Sequence, residues 1–255
     1  MSAQRSSVLI KSPPVFTKGV FMKTKHIMYI AALVSLVCAG CQSASKKGSA
    51  PYKMTTVSEK NAVFEVEVVY PQFAGFDDLN AIIKSRALGA YDDFKSSAQK
   101  TRREMESAKN AESETIPPFE YKASCDSIVM SDKYISLLFK AYRYEGGAHG
   151  ETLLDSITYD KVLKKEVSVT EASGLSVKEI AVRCKDYFMK KLNYGGNGAE
   201  AKKARTDWIA EGTIPEESNY QTFTYDGKKL TVYFEPYAVA PYSEGIQTVS
   251  ISAGR

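Results

Sequence analysis

Two long segments, Phe119–Met130 and Tyr134–Tyr144, are separated only by Ser131-Asp132-Lys133, and this spacing constrains the fold more than any other feature of the chain. So short a connection turns the second segment back along the first, whereas a parallel partner needs a crossover of about a dozen residues or more. An antiparallel pair is expected. Upstream, Val63–Tyr70 alternates with Phe64, Val66, Val68 and Tyr70 on one face, and Pro71 ends it. Asp77 can cap a helix striped by Leu79, Ile83, Leu88, Tyr91, Phe94 and Ala98, with residues 100–110 as a solvated extension. Downstream, Gly146–Gly150 breaks the pattern and two short strands follow at Leu153–Tyr159 and Val162–Val169. Ser176 opens a helix that buries Ile180, Cys184 and Phe188, and a second helix carries Ala201, Ala204 and Trp208 before Gly212 and Pro215 end it. Asp226-Gly227 is a hairpin turn between Thr222–Tyr225 and Leu230–Glu235, because both residues tolerate positive φ, and Ile246–Ser252 is a final strand. Helices and strands come in runs without regular βαβ alternation. This predicts an α+β fold of mostly antiparallel sheets with packed helices. Pro117-Pro118 marks the expected division between a small N-terminal α+β domain (52–116) and a larger C-terminal α+β domain (117–255).

The formal charge of +4 does not describe the body of the protein. Five of the 34 basic residues lie within residues 1–40, which hold no acid, so the remainder carries 29 bases against 30 acids. A nucleic-acid partner is not expected from so balanced a surface. Met22–His26 is a short positive segment, Ile27–Val37 is apolar, and Cys38-Ala39-Gly40-Cys41 follows, which is the order of an export signal. Its apolar run is too short for a comfortable span, which needs about 20 residues. The end resembles the lipobox of bacterial lipoproteins, with Ala39 and Gly40 before a lipidated Cys41 and with Cys38 where leucine is usual. A plain secretory signal or an uncleaved anchor is the alternative. Residues 1–21 read as an extension ahead of a start at Met22, 22–40 as the signal peptide, and 41–51 as a small, polar, flexible tether. The expected location is the bacterial cell envelope, outside the cytoplasm and held at the membrane by lipid.

Cys125 and Cys184 both fall on inward-facing positions, and in an oxidising compartment they could pair or stand as two separate buried thiols. His149 is the only histidine after the leader, which excludes mechanisms needing two histidines and multi-histidine metal sites. Ser97-Ala98-Gln99-Lys100 matches Ser-x-x-Lys, but no Lys-Thr-Gly follows and the stretch lies on a polar helix end. No phosphate-cradling loop or dinucleotide fingerprint is present. No catalytic residue, cofactor, metal or nucleotide is therefore expected, although a pair of carboxylates for glycan hydrolysis stays open among thirty acids.

Two segments stand out. Tyr142–Glu151 contains Gly146-Gly147-Ala148-His149-Gly150, whose three glycines force a sharp backbone path around one histidine. Phe234–Gly245 carries Tyr237 and Tyr242, whose flat apolar faces and polar tips suit sugar rings or protein partners. Each also has a plain structural reading, as a tight loop and as a tyrosine-rich corner. Together, Gly-Gly-Ala-His-Gly after a strand and Phe-x-Pro-Tyr-x-x-x-x-Tyr-x-x-Gly near the C-terminus resemble the paired domains of unknown function in the extracytoplasmic part of RsiV-type anti-sigma factors. The same pair accompanies some peptidoglycan deacetylases. The resemblance covers about residues 52–252 and implies that the larger half is like a subdomain of the Hsp70-type ATPase fold without its nucleotide site. In RsiV-type proteins this region binds lysozyme. The 255 residues show no long transmembrane helix, sigma-binding segment or deacetylase domain, so those activities are not expected to carry over.

The expected function is non-catalytic recognition of a cell-wall glycan or a lysozyme-like protein, with Gly146, Gly147, His149, Gly150, Tyr237 and Tyr242 forming the ligand site. A small cell-wall glycan hydrolase and a structural envelope protein are the alternatives. If Cys41 carries lipid, Cys41→Ser is expected to move the protein from the membrane to the soluble fraction, because two or more acyl chains make dissociation negligible. Membrane retention with the leader still attached, read by mass, would mark a signal anchor instead.

Overall fold

The computed structural model describes residues 51–108 and 116–253. The leader, the residues before it, Cys41 and the tether as far as residue 50 lie outside the described residues. The described chain opens with β1 (Tyr52–Lys60) and β2 (Phe64–Phe73), paired antiparallel from Tyr52 opposite Phe73 to Lys60 opposite Glu65. β1 has no counterpart in the expectation from sequence. It is an edge strand with no fully buried position, so Thr, Ser, Glu and Lys serve it without the apolar alternation that marks a half-buried strand. β2 also continues through Pro71. Beyond Val69 it pairs only with β1, so the missing proline N–H interrupts no second ladder.

α1 (Asp77–Ser107) then crosses over, and β3 (Phe119–Met130) returns parallel to β2, with Phe64 opposite Phe119 and Val69 opposite Ser124. The boundary expected at Pro117-Pro118 therefore does not divide this sheet: the prolines end the crossover and leave the hydrogen-bonded sheet continuous. Nor is the end of α1 simply solvated. Arg102 is 7% exposed and donates to the carbonyls of Ile116 (2.7 Å) and Pro117 (2.6 Å), with Ala62 and Val63 also in reach. The guanidinium thereby ties helix, crossover and the start of β2 together.

β4 (Tyr134–Tyr144) pairs antiparallel with β3 as the short connection requires, and β5 (Glu151–Asp160) pairs antiparallel with β4. β6 (Lys165–Glu166) completes a six-stranded sheet in sequential order. The strand expected at 162–169 is instead a turn, this two-residue bridge, and α2 (Val169–Ser173). Val162 and Leu163 are 73% and 59% exposed, because Asp160 accepts hydrogen bonds from both of their amides (2.8 and 2.9 Å) and closes the turn. α3 (Val177–Lys191) and α4 (Ala199–Gly212) follow. Capping boxes at Ser168/Glu171 and Ser176/Glu179 start α2 and α3. β7 (Phe223–Tyr225), β8 (Lys229–Phe234) and β9 (Gln247–Ser252) form an antiparallel three-stranded sheet. The described residues form an α+β fold, with one parallel pair in otherwise antiparallel sheets.

Alternation along β4 and β5 creates two cores. Ile135, Leu137, Ile157 and Tyr159 point into the core beneath α1, with Phe64, Val66, Phe94 and Phe119. The opposite face carries Tyr134, Ser136, Ser156 and Thr158, and there the second sheet docks with α2, α3 and α4 around Ile180, Phe188, Tyr220, Phe234 and Val249. Cys125 packs against the first core and Cys184 lies within the second, and both are free thiols. The disulfide between them is therefore not formed, because the sheet separates the two cores. Burial pushes both thiols up to about 12, as expected for cysteines that serve as small core residues.

The junction between the sheets is polar. β7 is an edge strand, yet its outer groups are buried. The Phe223 amide donates to Ser156 Oγ (2.9 Å), which donates to the Gln221 carbonyl (3.1 Å). The Tyr225 amide donates to Ser136 Oγ (3.0 Å), which also contacts the Tyr225 carbonyl (3.1 Å) and Thr158 Oγ1 (2.8 Å). Ser136→Ala or Ser156→Ala is expected to lower unfolding free energy by about 1–3 kcal/mol each, since a buried amide loses its acceptor. Urea unfolding measures this; unchanged midpoints in both variants would show that the junction does not rely on these hydroxyls.

Candidate functional site

The glycine-rich turn after β4 needs residues without a Cβ at its apex. Gly146 and Gly147 have φ of +93° and +100°, and the Tyr144 hydroxyl donates to the Gly147 carbonyl at 3.2 Å. Gly150 is required for a different reason: a Cβ there would lie 2.4 Å from the Tyr142 ring. This path places His149 at the surface, with Nδ1 2.9 Å from the Gly150 carbonyl oxygen. A carbonyl only accepts, so Nδ1 carries the proton. Nε2 forms no hydrogen bond among the described residues and is the ring atom open to a ligand.

The second loop comes from the end of β8. Tyr237 adopts φ +73°, a left-handed conformation uncommon for a residue with a side chain, and is 53% exposed. Two residues of α4 hold it there. Trp208 Nε1 donates to the Tyr237 carbonyl at 2.9 Å, and Gly212 packs so close to Ala238 that a Cβ would lie 1.9 Å from its carbonyl oxygen. Tyr194 meets the Trp208 ring edge to face at 6.0 Å, with Arg205 over the tyrosine ring.

The two loops meet. The rings of His149 and Tyr242 stack at 4.7 Å between centroids, and Tyr237 leans on Tyr242 at 5.6 Å. The Tyr242 hydroxyl donates to the Gly150 carbonyl at 3.3 Å. That single carbonyl therefore accepts from both loops, one partner for each lone pair. The structure thus gathers His149, Gly150, Tyr237 and Tyr242 into one aromatic ridge. Tyr242 is the packed centre of the ridge, and Tyr237 and the outer face of His149 are its exposed members.

His149 also lines a polar cavity of about 360 Å³, together with Ser97, Arg143, Glu145, Gly146 and Glu151. Arg143 pairs with Glu151 and lies 3.9 Å from Glu145. Ser97 Oγ donates to Glu145 at 2.6 Å, while Lys100 faces Glu104 at 3.9 Å, so Ser97 and Lys100 do not form the serine–lysine unit that their spacing suggests. Sequence reasoning missed Ser97 as a wall of this site, and it missed the supporting roles of Trp208 and Gly212. The only signal for Gly212 was its place at a helix end, which says nothing about the backbone it meets in space. Among the described residues no group of three histidine, cysteine or carboxylate side chains is arranged to hold a metal ion.

Two family models match parts of the chain. A family model described as Deacetylase PdaC matches residues 57–152, and one described as Protein of unknown function (DUF3298) matches residues 170–253. Both domains of a deacetylase-associated pair are present, and the first runs across Pro117-Pro118. Peptidoglycan-N-acetylmuramic acid deacetylase PdaC of Bacillus subtilis (strain 168) is 28% identical over 120 residues, or 46% of this chain. The chain covers only 24% of that relative's length. A DUF3298 family protein from Pseudomonas aeruginosa PAO1 superposes with a TM-score of 0.51 at 16% identity, covering 80% of this chain and 91% of that one. A member of the same family from Bacteroides fragilis NCTC 9343 gives 0.51 at 13% identity, covering 79% and 90%. At these identities the two structures bear on the fold alone.

Gly147→Val is expected to destabilise the protein by about 1–3 kcal/mol, since a β-branched residue is poorly tolerated at this φ. Thermal melting checks this, and a melting temperature equal to the parent's would show that the turn relaxes freely.

Proposed function

We propose that this chain is an envelope-anchored, non-catalytic recognition module that binds cell-wall glycan along the His149–Tyr242–Tyr237 ridge. The observation that carries this reading is the ridge beside a polar cavity. Sugar rings offer apolar C–H faces and polar rims, and here His149 belongs both to the aromatic ridge and to the wall of a cavity with carboxylates, a guanidinium and a hydroxyl. Likeness to a peptidoglycan deacetylase and to DUF3298 supports a role connected with the cell wall. A lysozyme-like protein is the alternative ligand of the same surface, from the resemblance to RsiV-type proteins. The lipid anchor at Cys41, the extracytoplasmic location and the Hsp70-type likeness of the C-terminal part belong to the same proposal.

A glycan hydrolase is the second reading, because one observation favours it. Asp155 and Glu235 line one cavity, and burial raises the Asp155 carboxyl despite the opposing effects of Arg86 and the Ser156 amide. That cavity, however, is walled mainly by aliphatic and aromatic side chains such as Val68, Ala141 and Leu153, which satisfy no sugar hydroxyls. The recognition reading therefore has the better-suited surface.

Cosedimentation with purified insoluble peptidoglycan tests it, with hen lysozyme in a parallel pull-down. The parent protein is expected to sediment with the glycan. Tyr237→Ala is expected to weaken retention about fivefold to tenfold, as loss of an aromatic contact of about 1 kcal/mol or slightly more implies. Its melting temperature should hold. Capture by lysozyme alone selects the protein ligand, and retention unaffected by both Tyr237→Ala and His149→Ala would remove the ridge from the binding surface.

A further inference from the structure

Beneath α1 the floor of the large sheet dips. Val68, Ala123, Ala141 and Leu153 stand in register across β2, β3, β4 and β5, and the two central positions are alanines. α1 places Ala87 and Ala90 in the opposite wall, so small side chains meet small side chains and a cavity of about 320 Å³ remains. Much of its lining keeps contact with solvent, Ala90 most of all, so it is an open cleft, and its volume falls in the range of small-molecule sites.

The rim is charged and its charges are unevenly committed. Arg86 donates to the Ser156 carbonyl (2.8 Å), to Glu166 (2.9 Å) and to Asp155 Oδ1 (3.4 Å), so its donors are directed at the protein. Asp155 Oδ1 also accepts from the Ser156 amide (2.7 Å), and Glu235 Oε1 accepts from the Leu154 amide (2.6 Å). Asp155 Oδ2 and Glu235 Oε2 form no hydrogen bond among the described residues. Two carboxylates, Asp155 and Glu235, and one guanidinium line the hole, and that guanidinium is also engaged by Glu166 outside it. An anion entering there would meet uncompensated negative charge, and a sugar would leave its hydroxyls against aliphatic walls.

We propose that this cavity is a binding site for a small organic cation with an apolar body, a primary alkylammonium, whose chain lies beneath α1 and whose ammonium meets Asp155 and Glu235. An ammonium brings three donors and no acceptor, which suits two carboxylate oxygens with spare capacity. Burial that disfavours ionised Asp155 is relieved by a cation beside it, so the site and its ligand stabilise each other's charged forms. The site is separate from the aromatic ridge, and loss of glycan binding at the ridge would leave it unaffected.

Isothermal titration of the full chain with n-hexylammonium chloride tests the proposal, with hexanoate and hexanol as probes of equal chain length. Saturable binding of hexylammonium is expected, with hexanoate and hexanol at least about tenfold weaker, the discrimination that one well-placed charge contact supplies. Asp155→Asn should weaken hexylammonium severalfold, and Ala90→Leu should abolish binding by filling the hole. No saturable binding, equal binding of hexanoate or hexanol, or undiminished binding to a folded Ala90→Leu protein would overturn it. Where a variant fails to fold, the three probes on the parent chain decide.

Discussion

Two serine hydroxyls in the middle of the molecule carry the architecture. β7 is only three residues long and lies at the edge of its sheet, so one side of its backbone has no strand partner. That side is buried, and an unpaired buried amide costs about as much as a lost hydrogen bond. Ser136 and Ser156 supply the missing neighbour, because a hydroxyl both donates and accepts and can serve an amide and a carbonyl together. They stand in place because β4 and β5 alternate: Ile135, Leu137 and Ile157 face the core under α1, and the serines between and beside them face the other way. Thus one sheet serves two cores with unlike chemistry on its faces, apolar towards α1 and partly polar towards β7.

The aromatic ridge depends on that docking. His149 arises from the large sheet, whereas Tyr237 and Tyr242 arise from a loop after β8 that is fastened to α4 by Trp208 and Gly212. Neither loop forms the ridge alone. The Gly150 carbonyl joins them by accepting from both His149 and Tyr242, so the contact bridges the turn of the large sheet and the loop after β8. A surface assembled across a junction in this way reports on the integrity of both sheets. It also explains why the glycines of the turn matter: their positive φ and lack of side chain set the aim of a carbonyl, besides the direction of the chain.

Much of the fold was legible in sequence where local rules were strong. The three-residue link after Met130, the Asp226-Gly227 turn and the helix start at Ser176 all set backbone direction within a few residues, and these elements appear where expected. Misreadings arose where neighbours in space outweighed the local pattern. β1 is polar because it is an edge, Pro71 is tolerated because β2 has lost one neighbour there, and Val162-Leu163 is apolar yet exposed because Asp160 binds both amides. Pro117-Pro118 read as a boundary between domains because prolines end elements, but a parallel pairing spans it.

The sequence by itself determined the class of the fold, the antiparallel course of β3 and β4, and the two segments that hold the ridge. Each follows from periodicity, from glycine and proline geometry, or from side-chain chemistry, all of which act over a few residues. Only the tertiary structure decided that Cys125 and Cys184 lie in separate cores, that His149 stacks on Tyr242, and that alanines from one helix and two strands leave a hole beneath acidic groups. Those outcomes depend on which residues meet across long sequence separations. Pairings of that kind are set by sheet register and by the polar junction at β7, and neither is written in any local stretch of the chain.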